Sequence, residues 1–263
     1  MAPLVAAVLG TALAYMSDDM LNLAIPSVAR ELGATMTDAQ WVLNAYYVVL
    51  VSFVLIAGSV GDILGHRRVF TAGLALFSLG ALVCAAAPAV PVLIGGRGLQ
   101  GLGAAMLVTA GLALVTRLTP VERRDRVLGQ FFGLVAAVPA LGPFVSGGLV
   151  DFLSWRWLFV VPLVLPLAAL LVTRRLVPET PPAAARRPDV AGSALAFVAL
   201  SALSVGLIVG PAGTPGATGG VLAIAVAAVA GGAFVVVEWR AADPMLPLRF
   251  FGQPAFLGGN LVW

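Results

Sequence analysis

The sequence predicts an all-α polytopic membrane protein, and three observations lead to that prediction. Hydrophobic residues make up 60% of the 263 positions and charged residues only 10%, with a mean hydropathy of +1.04. A soluble domain carries roughly 25% charged residues. Apolar stretches of about 18 to 25 residues recur along the chain, each long enough to cross a ~30 Å hydrocarbon core as one helix. Barrel strands would need only ~10 alternating residues, so helices are favoured.

Eight spans are expected, followed by the beginning of a ninth. We place the eight near 4–25, 41–61, 69–88, 92–116, 127–150, 157–172, 191–209 and 221–237. An apolar segment then starts near residue 256 and the sequence stops at residue 263, so we expect the front part of a longer protein. The proline- and charge-rich connection after residue 172 predicts the main internal boundary. The expected organisation is a six-helix bundle (1–172), a cytoplasmic linker (173–190), two additional spans with the following cytoplasmic loop (191–253) and the start of a second bundle (254–263).

The distribution of charge predicts the topology. All 15 basic residues are arginines, of which 12 fall in every second connection, two in the other connections, and one, Arg97, within a span. Because cytoplasmic loops carry the excess of arginine, we expect a cytoplasmic N-terminus and a multi-pass protein of the plasma (cell) membrane. The sequence pI of 9.7 then reflects topology, and no nucleic-acid partner is expected.

The first span carries two carboxylates, Asp18 and Asp19, inside an otherwise apolar helix. At 100° per residue, they fall within an arc of about 100° together with Thr11, Tyr15 and Asn22. A charge at bilayer depth is costly, so this face should line a water-filled cavity or meet partner helices. An ion or substrate pathway is the favoured interpretation, and a buried structural ion pair is the alternative.

Arg97 is the predicted partner of these carboxylates. Counting ~1.5 Å per residue from the outer ends of the spans places Asp18 about 12 Å deep and Arg97 about 8 Å deep. We hypothesise that a buried aspartate takes a proton when Arg97 is distant and releases it when Arg97 approaches. Alternatively, Arg97 serves only to lock helices together.

The fifth span contains the stretch "GLVAAVPALGPFVSGG". Pro139 and Pro143 each remove a helical hydrogen-bond donor, whereas Gly142 and Gly147 permit close approach of another helix. We therefore predict a kinked helix with a smooth face.

The loop between spans 2 and 3 reads "GSVGDILGHRR". Its glycines permit a tight turn, its aspartate can interact with a nearby helix N-terminus, and its arginines anchor the cytoplasmic side. We expect His66 to be exposed in this loop without a special role. The residues of this predicted gate-loop motif are Gly58, Gly61, Asp62, Gly65, Arg67 and Arg68.

Taken together, these clusters resemble the major facilitator superfamily. The loop "GSVGDILGHRR" resembles the family's loop 2–3 signature, and "LGPFVSGG" is similar to the antiporter motif of its span 5. The stretch "GGRGLQGLGAA" looks like its span 4 motif, with Arg97, Gln100, Gly101 and Gly103 in place. The segments "NLAIP", "SWRWLF" and "AADPMLPLRFF" are typical of the fourteen-span drug:proton antiporter branch.

The resemblance implies a proton-driven exporter with the major facilitator fold. Two six-helix bundles would alternate access to a central site, and spans 7 and 8 would be the extra pair between them. By resemblance, Asp62 belongs to a cytoplasmic gate contact, Arg97 to proton coupling, and Pro143 to antiport-type helix packing. The family's first-span aspartate would align with Ser17, which leaves open whether Asp18 or Asp19 carries the proton.

The expected activity is efflux of a lipophilic drug or antibiotic, with a cation as one option, in exchange for protons. We expect no cofactor besides the proton gradient, a small-molecule substrate, the lipid bilayer as surroundings, and a monomeric full-length protein. A wet, aromatic-lined cavity would suit such a compound. The residues expected to line it are Tyr15, Asn22, Tyr46, Tyr47, Gln100 and Gln130.

Several alternatives remain. A metabolite exporter, a uniporter or a symporter would share the fold, although the antiporter-like motif argues against the symporter. The stretch "DDMLN" also invites comparison with membrane-embedded, magnesium-dependent prenyl-transfer enzymes, but that chemistry needs several converging carboxylates and the sequence has no second aspartate-rich span. A protease lacks a paired catalytic motif. We therefore expect no enzyme and no metal site.

Overall fold

The computed structural model describes residues 2–179, 189–209 and 217–241, where α-helices are joined by short connections. The helices are α1 (Ala2–Leu32), α2 (Met36–Leu64), α3 (His66–Ala85), α4 (Val90–Leu118), α5 (Arg124–Ala137), α6 (Gly142–Phe152), α7 (Trp157–Val160), α8 (Val164–Leu176), α9 (Val190–Val209) and α10 (Ala217–Arg240). A 3-10 turn at Pro139–Leu141 links α5 to α6, and another at Val161–Leu163 links α7 to α8. Each of these pairs therefore forms one continuous span.

The predicted membrane spans are confirmed as helices. Within the described ranges, seven helical segments are long and apolar enough to cross a membrane. The two parts of α1, Pro3–Ser17 and Met20–Leu32, are bent by 40° at their junction and give an eighth candidate span if they cross the membrane as one unit. The chain is thus a multi-pass, all-α membrane protein, as predicted. The start of the ninth span near residue 256 lies outside the described residues, as do residues 180–188 of the linker and the loop after residue 241.

Local sequence explains how α2 and α3 begin. The hydroxyl of Thr35 accepts a hydrogen bond from the backbone N–H of Asp38 at 3.2 Å, while the Asp38 carboxylate accepts one from the backbone N–H of Thr35 at 2.9 Å. This reciprocal capping box satisfies donors that a helix N-terminus otherwise leaves unpaired. Gly65 separates α2 from α3 with φ at +93°, a conformation that favours glycine.

The chain divides into two compact units, residues 1–183 and 184–263. In the first unit, α4 packs against α1, α2 and α3. Glycines make this possible, because a Cβ added at Gly103 would lie 2.6 Å from the backbone nitrogen of Phe77 in α3. A Cβ at Gly101 would similarly run into the carbonyl oxygen of Tyr46 in α2. Small residues thus bring three helix backbones together around the polar side chains of α4.

The second unit contains α9 and α10, which pack along each other. A Cβ added at Gly206 in α9 would lie 2.6 Å from Cγ1 of Ile224 in α10, so the two helices approach closely there. Asp189 precedes α9 and accepts a hydrogen bond from the backbone N–H of Gly192 at 2.7 Å. This bond caps the N-terminal turn of the helix.

Candidate functional site

Arg97 lies fully buried in the middle of the first unit. Its Nε donates to the carbonyl oxygen of Val42 in α2 at 3.2 Å, and its Nη1 donates to Oε1 of Gln100 at 3.1 Å. The guanidinium also stacks over the ring of Tyr46, 4.5 Å from its centroid. A guanidinium keeps its charge when buried, so these contacts hold a permanent cation inside the bundle.

Tyr46 connects this cation to the first span. Its hydroxyl donates to the carbonyl oxygen of Ala14 in α1 at 2.8 Å. Asp18 and Asp19 follow Ala14 by about one helical turn and coincide with the bend in α1. Their side chains lie outside what the structure describes, so their pairing with Arg97 stays a prediction.

A cavity of about 470 Å³ opens beside the same part of α1. It lies among α1, α4 and α5, and its lining is mainly apolar. Its residues are Thr11, Tyr15, Val108, Leu112, Phe131, Phe132, Val135, Ala136 and Pro139. The rings of Phe131 and Phe132 meet edge to face, with centroids 5.3 Å apart. The volume falls within the range of about 300–1,000 Å³ that is typical of small-molecule sites.

The structure brings only one residue of the predicted cavity set, Tyr15, to this cavity. Tyr46 and Gln100 are buried in helix packing around Arg97. Tyr47 is about half exposed, with its ring edge to face on Tyr46 at 5.4 Å. Asn22 lies on an exposed part of α1.

Gln130 lies apart from these residues. It lines a second cavity of about 630 Å³, where α1 begins and α4 gives way to α5. Glu122, Arg123 and Arg126 also line this cavity, which makes it more polar than the first. The predicted substrate residues therefore do not form one site: Tyr15 and Gln130 line different cavities, Tyr46 and Gln100 pack around Arg97, and Asn22 and Tyr47 line neither cavity.

The gate-loop motif lies where the end of α2, the start of α3 and the end of α4 pack together. Oδ1 of Asp62 lies 2.5 Å from Nη2 of Arg117 in α4 and 3.4 Å from Nε2 of His66. A Cβ added at Gly61 would lie 2.5 Å from Nδ1 of His66, so a side chain there would displace the imidazole from its present position. The expectation of an exposed His66 was wrong: α3 begins directly after Gly65, which turns this side chain into the packing, where it is 4% exposed.

The antiporter-like motif interrupts the fifth span. Pro139 begins the 3-10 turn and is buried, and Gly142 and Pro143 open α6. A Cβ added at Gly147 would meet no atom within 4 Å. The α-helix is interrupted where the prolines predict a kink, whereas the smooth face and its role in close helix packing stay predictions.

A polar cluster that was not predicted from the sequence links the last turn of α1 to two connections at the other end of the bundle. Nε1 of Trp155 donates to Oε2 of Glu31 at 2.6 Å, and Arg156 forms an ion pair with the same carboxylate. Arg156 also donates to the carbonyl oxygen of Ala87 at 3.1 Å and stacks over Trp155 at 4.4 Å. Glu31 and Trp155 are 124 positions apart, so only the conspicuous "SWRW" segment could have drawn attention to this cluster.

The fold and the buried cation define a multi-pass membrane protein with a polar cluster inside its helical bundle. The sequence profile of the Major Facilitator Superfamily matches residues 7–248. The chain therefore belongs to the major facilitator superfamily.

Relatives in this family include named resistance proteins. The chain is 33% identical over 256 residues to the methylenomycin A resistance protein of Streptomyces coelicolor, covering 96% of this chain and 53% of the relative. It is 32% identical over 254 residues to the multidrug resistance protein Stp of Mycobacterium tuberculosis, covering 96% and 47%. The chain thus spans about half the length of these relatives. A crystal structure of a peptide transporter, POT, in complex with sulfate shares the fold, with a TM-score of 0.67, 18% identity, and coverage of 91% of this chain and 52% of the other.

Proposed function

We propose that the chain forms the N-terminal part of a proton-coupled exporter of lipophilic drugs or antibiotics. The observation that carries this proposal is the aromatic cavity of about 470 Å³, which reaches Tyr15 one helical turn before Asp18 and Asp19. The names of the methylenomycin A and multidrug resistance relatives support the substrate class. Family membership favours transport over the prenyl-transfer enzyme considered from the sequence.

The proposed mechanism couples a proton on the first span to a compound in the cavity. A carboxylate near the bend of α1 is neutral when protonated and tolerates an apolar compound beside it. Loss of the proton would create a charge that a nearby guanidinium stabilises, and Arg97 lies against Tyr46, whose hydroxyl bonds to the backbone of α1. The compound would thus favour the neutral, protonated state of the site, and release of the proton would favour the charged state. Such opposing preferences are what exchange of a proton for a compound requires.

The proposed orientation follows the arginine distribution. The N-terminus and the arginine-rich connections, including those with Arg117 and Arg174, would face the cytoplasm of a cell whose plasma membrane holds the protein. The complete protein would act as a monomer with a second bundle after residue 253. The six-helix bundle of residues 1–172 would then supply one half of the transport pathway.

Proton movement in inverted membrane vesicles tests the proposal. Vesicles containing the complete reading frame are energised to form a ΔpH, and candidate lipophilic cations are added. The variants are Asp18→Asn, Asp19→Asn and Arg97→Ala, with Asp38→Asn as a matched control because Asp38 caps α2 outside the polar cluster. Collapse of ΔpH that depends on the compound and is lost in one first-span variant supports antiport. Passage of labelled compound without any ΔpH response would contradict it and favour a uniporter.

Substitution of the cavity lining tests the substrate site separately. Phe132→Ala should change the order in which compounds are transported, because it removes an aromatic ring from the cavity. Tyr47→Phe is the control, since Tyr47 is exposed but does not line this cavity. Equal effects of the two substitutions on compound preference would argue against this cavity as the substrate site. Transport of polar compounds alone would instead indicate a metabolite exporter.

A further inference from the structure

A groove of about 660 Å³ lies between α3 and α8, away from the Arg97 cluster. Three arginines line its polar end, namely Arg67 and Arg68 at the start of α3 and Arg174 near the end of α8. Among the residues that the structure describes, one carboxylate, Glu179, also lines it, so three positive charges and one negative charge give a formal charge of +2. This balance favours an anionic ligand.

The arginines are positioned by contacts within the same groove. Nη2 of Arg67 donates to the carbonyl oxygen of Arg174 at 2.9 Å, which joins the two helices at this end. Nε of Arg68 lies 3.6 Å from Oε2 of Glu179, and the Arg68 side chain is 73% exposed. Each guanidinium has five N–H donors in a planar fork that suits phosphate oxygens. The carboxylate of Glu179 therefore occupies a position where a phosphate would compete for Arg68.

Thr71 follows the arginines in the lining, with its hydroxyl donating to the carbonyl oxygen of Arg67 at 2.8 Å, and the groove is apolar beyond it. Ala72 and Ala75 present exposed methyl groups on α3, and Leu170 lies across from them on α8. Ala75 follows Arg68 by seven residues, or about 10 Å along the helix axis. The groove thus changes from cationic to apolar along the direction of the span. A phospholipid changes from phosphate to acyl chain over a similar length.

We infer that this groove binds an anionic phospholipid, with the phosphate at Arg67, Arg68 and Arg174 and an acyl chain along Ala72, Ala75 and Leu170. Basic pockets between membrane helices are suited to anionic lipid headgroups. The apolar wall provides a reason to prefer a lipid over a soluble phosphate, which would use only the cationic end. The inference concerns a surface outside the transport cavity and does not depend on the exported compound.

Native mass spectrometry of the purified protein from the complete reading frame tests this inference. Palmitoyl-oleoyl phosphatidylglycerol, the phosphatidylcholine with the same acyl chains, and inorganic phosphate are titrated in separate arms. The test variant is Arg68→Gln combined with Arg174→Gln. The matched control is Arg175→Gln, because Arg175 is exposed beside Arg174 but does not line the groove.

We expect preferential binding of phosphatidylglycerol and a loss of about tenfold or more in the double variant, since each arginine near an anionic headgroup contributes roughly fivefold. Binding to Arg175→Gln should stay within about twofold of the unmodified protein. Glu179→Gln should bind phosphatidylglycerol more tightly, because it removes the competing carboxylate from Arg68. Misfolding would weaken lipid binding, whereas Glu179→Gln is expected to strengthen it. The Glu179 variant therefore tests the inference even if the double variant is unstable.

Four results would overturn the inference. Equal losses in the double variant and in Arg175→Gln would indicate diffuse charge attraction. Equal binding of phosphatidylcholine would show that the headgroup charge is not recognised. Displacement of phosphatidylglycerol by millimolar inorganic phosphate would identify a soluble-anion site. Unchanged or weaker lipid binding in Glu179→Gln would show that Arg68 does not contact the phosphate.

Discussion

Gly103→Ala should destabilise the protein, because α3 and α4 are in backbone contact at this residue. The added Cβ would lie 2.6 Å from the nitrogen of Phe77 and 2.9 Å from the carbonyl oxygen of Gly73. Ordinary contact begins at 3.4 Å, so the helices must separate by 3.4 − 2.6 = 0.8 Å. Overpacking costs ~1–3 kcal/mol, and backbone atoms cannot rotate away, which favours the upper part of that range. After the gain of up to ~1 kcal/mol in helix propensity, the expected net loss is about 1–2 kcal/mol.

Gly95→Ala is the matched control in the same helix. A Cβ at Gly95 would meet no atom within 4 Å, so the substitution keeps only the favourable propensity change of up to ~1 kcal/mol. Thermal unfolding of the purified protein in detergent should therefore give midpoints that move in opposite directions, lower for Gly103→Ala and higher for Gly95→Ala. Equal midpoints would refute the tight α3–α4 contact. An unchanged midpoint with loss of transport would assign Gly103 to transport instead of packing.

Three further predictions concern other contacts. Trp155→Phe should keep the ring packing but lower the thermal midpoint, because it removes the charge-assisted hydrogen bond to Glu31; an unchanged midpoint would mean that this bond does not contribute. Cys84 is fully buried and should react with a maleimide only after unfolding, so rapid labelling of the native protein would contradict its placement. A double-mutant cycle with Asp62→Asn and Arg117→Gln should give a coupling free energy of about 0.5–1 kcal/mol that weakens at high salt, since both side chains are partly exposed. Zero coupling at low salt would show that Asp62 and Arg117 do not form a stabilising ion pair.

The helices were predictable because the membrane imposes their length. A hydrocarbon core requires about 20 apolar residues per crossing, and this requirement can be read locally along the chain. The same local signals identified the break at Pro139 and the turn at Gly65. Bounds were less accurate: α1 extends from Ala2 to Leu32, whereas the predicted span covers 4–25. Helices continue beyond the hydrocarbon region wherever their backbone remains paired and their ends are capped.

The site was less predictable because it depends on which residues meet across helices. Tyr46 and Gln100 have cavity-type chemistry, yet both side chains are directed into packing around Arg97. Phe131 and Phe132 appear in sequence as ordinary span residues and became candidates only through the cavity they line. Helical periodicity specifies which residues share a face, but not which neighbour that face meets.

The geometry of the helices around the cavity has a consequence for compounds of different shape. Backbone contacts at Gly101 and Gly103, with the bonds of Arg97, fix α2, α3 and α4 as a frame. The cavity, by contrast, is bordered by the bent α1 and by the interrupted fifth span at Pro139. A change in helix geometry at Pro139 would alter the shape of the cavity, because Pro139 forms part of its lining. In the proposed exporter, tolerance toward many compounds would then arise from the shape of two helices as well as from the side chains lining the cavity.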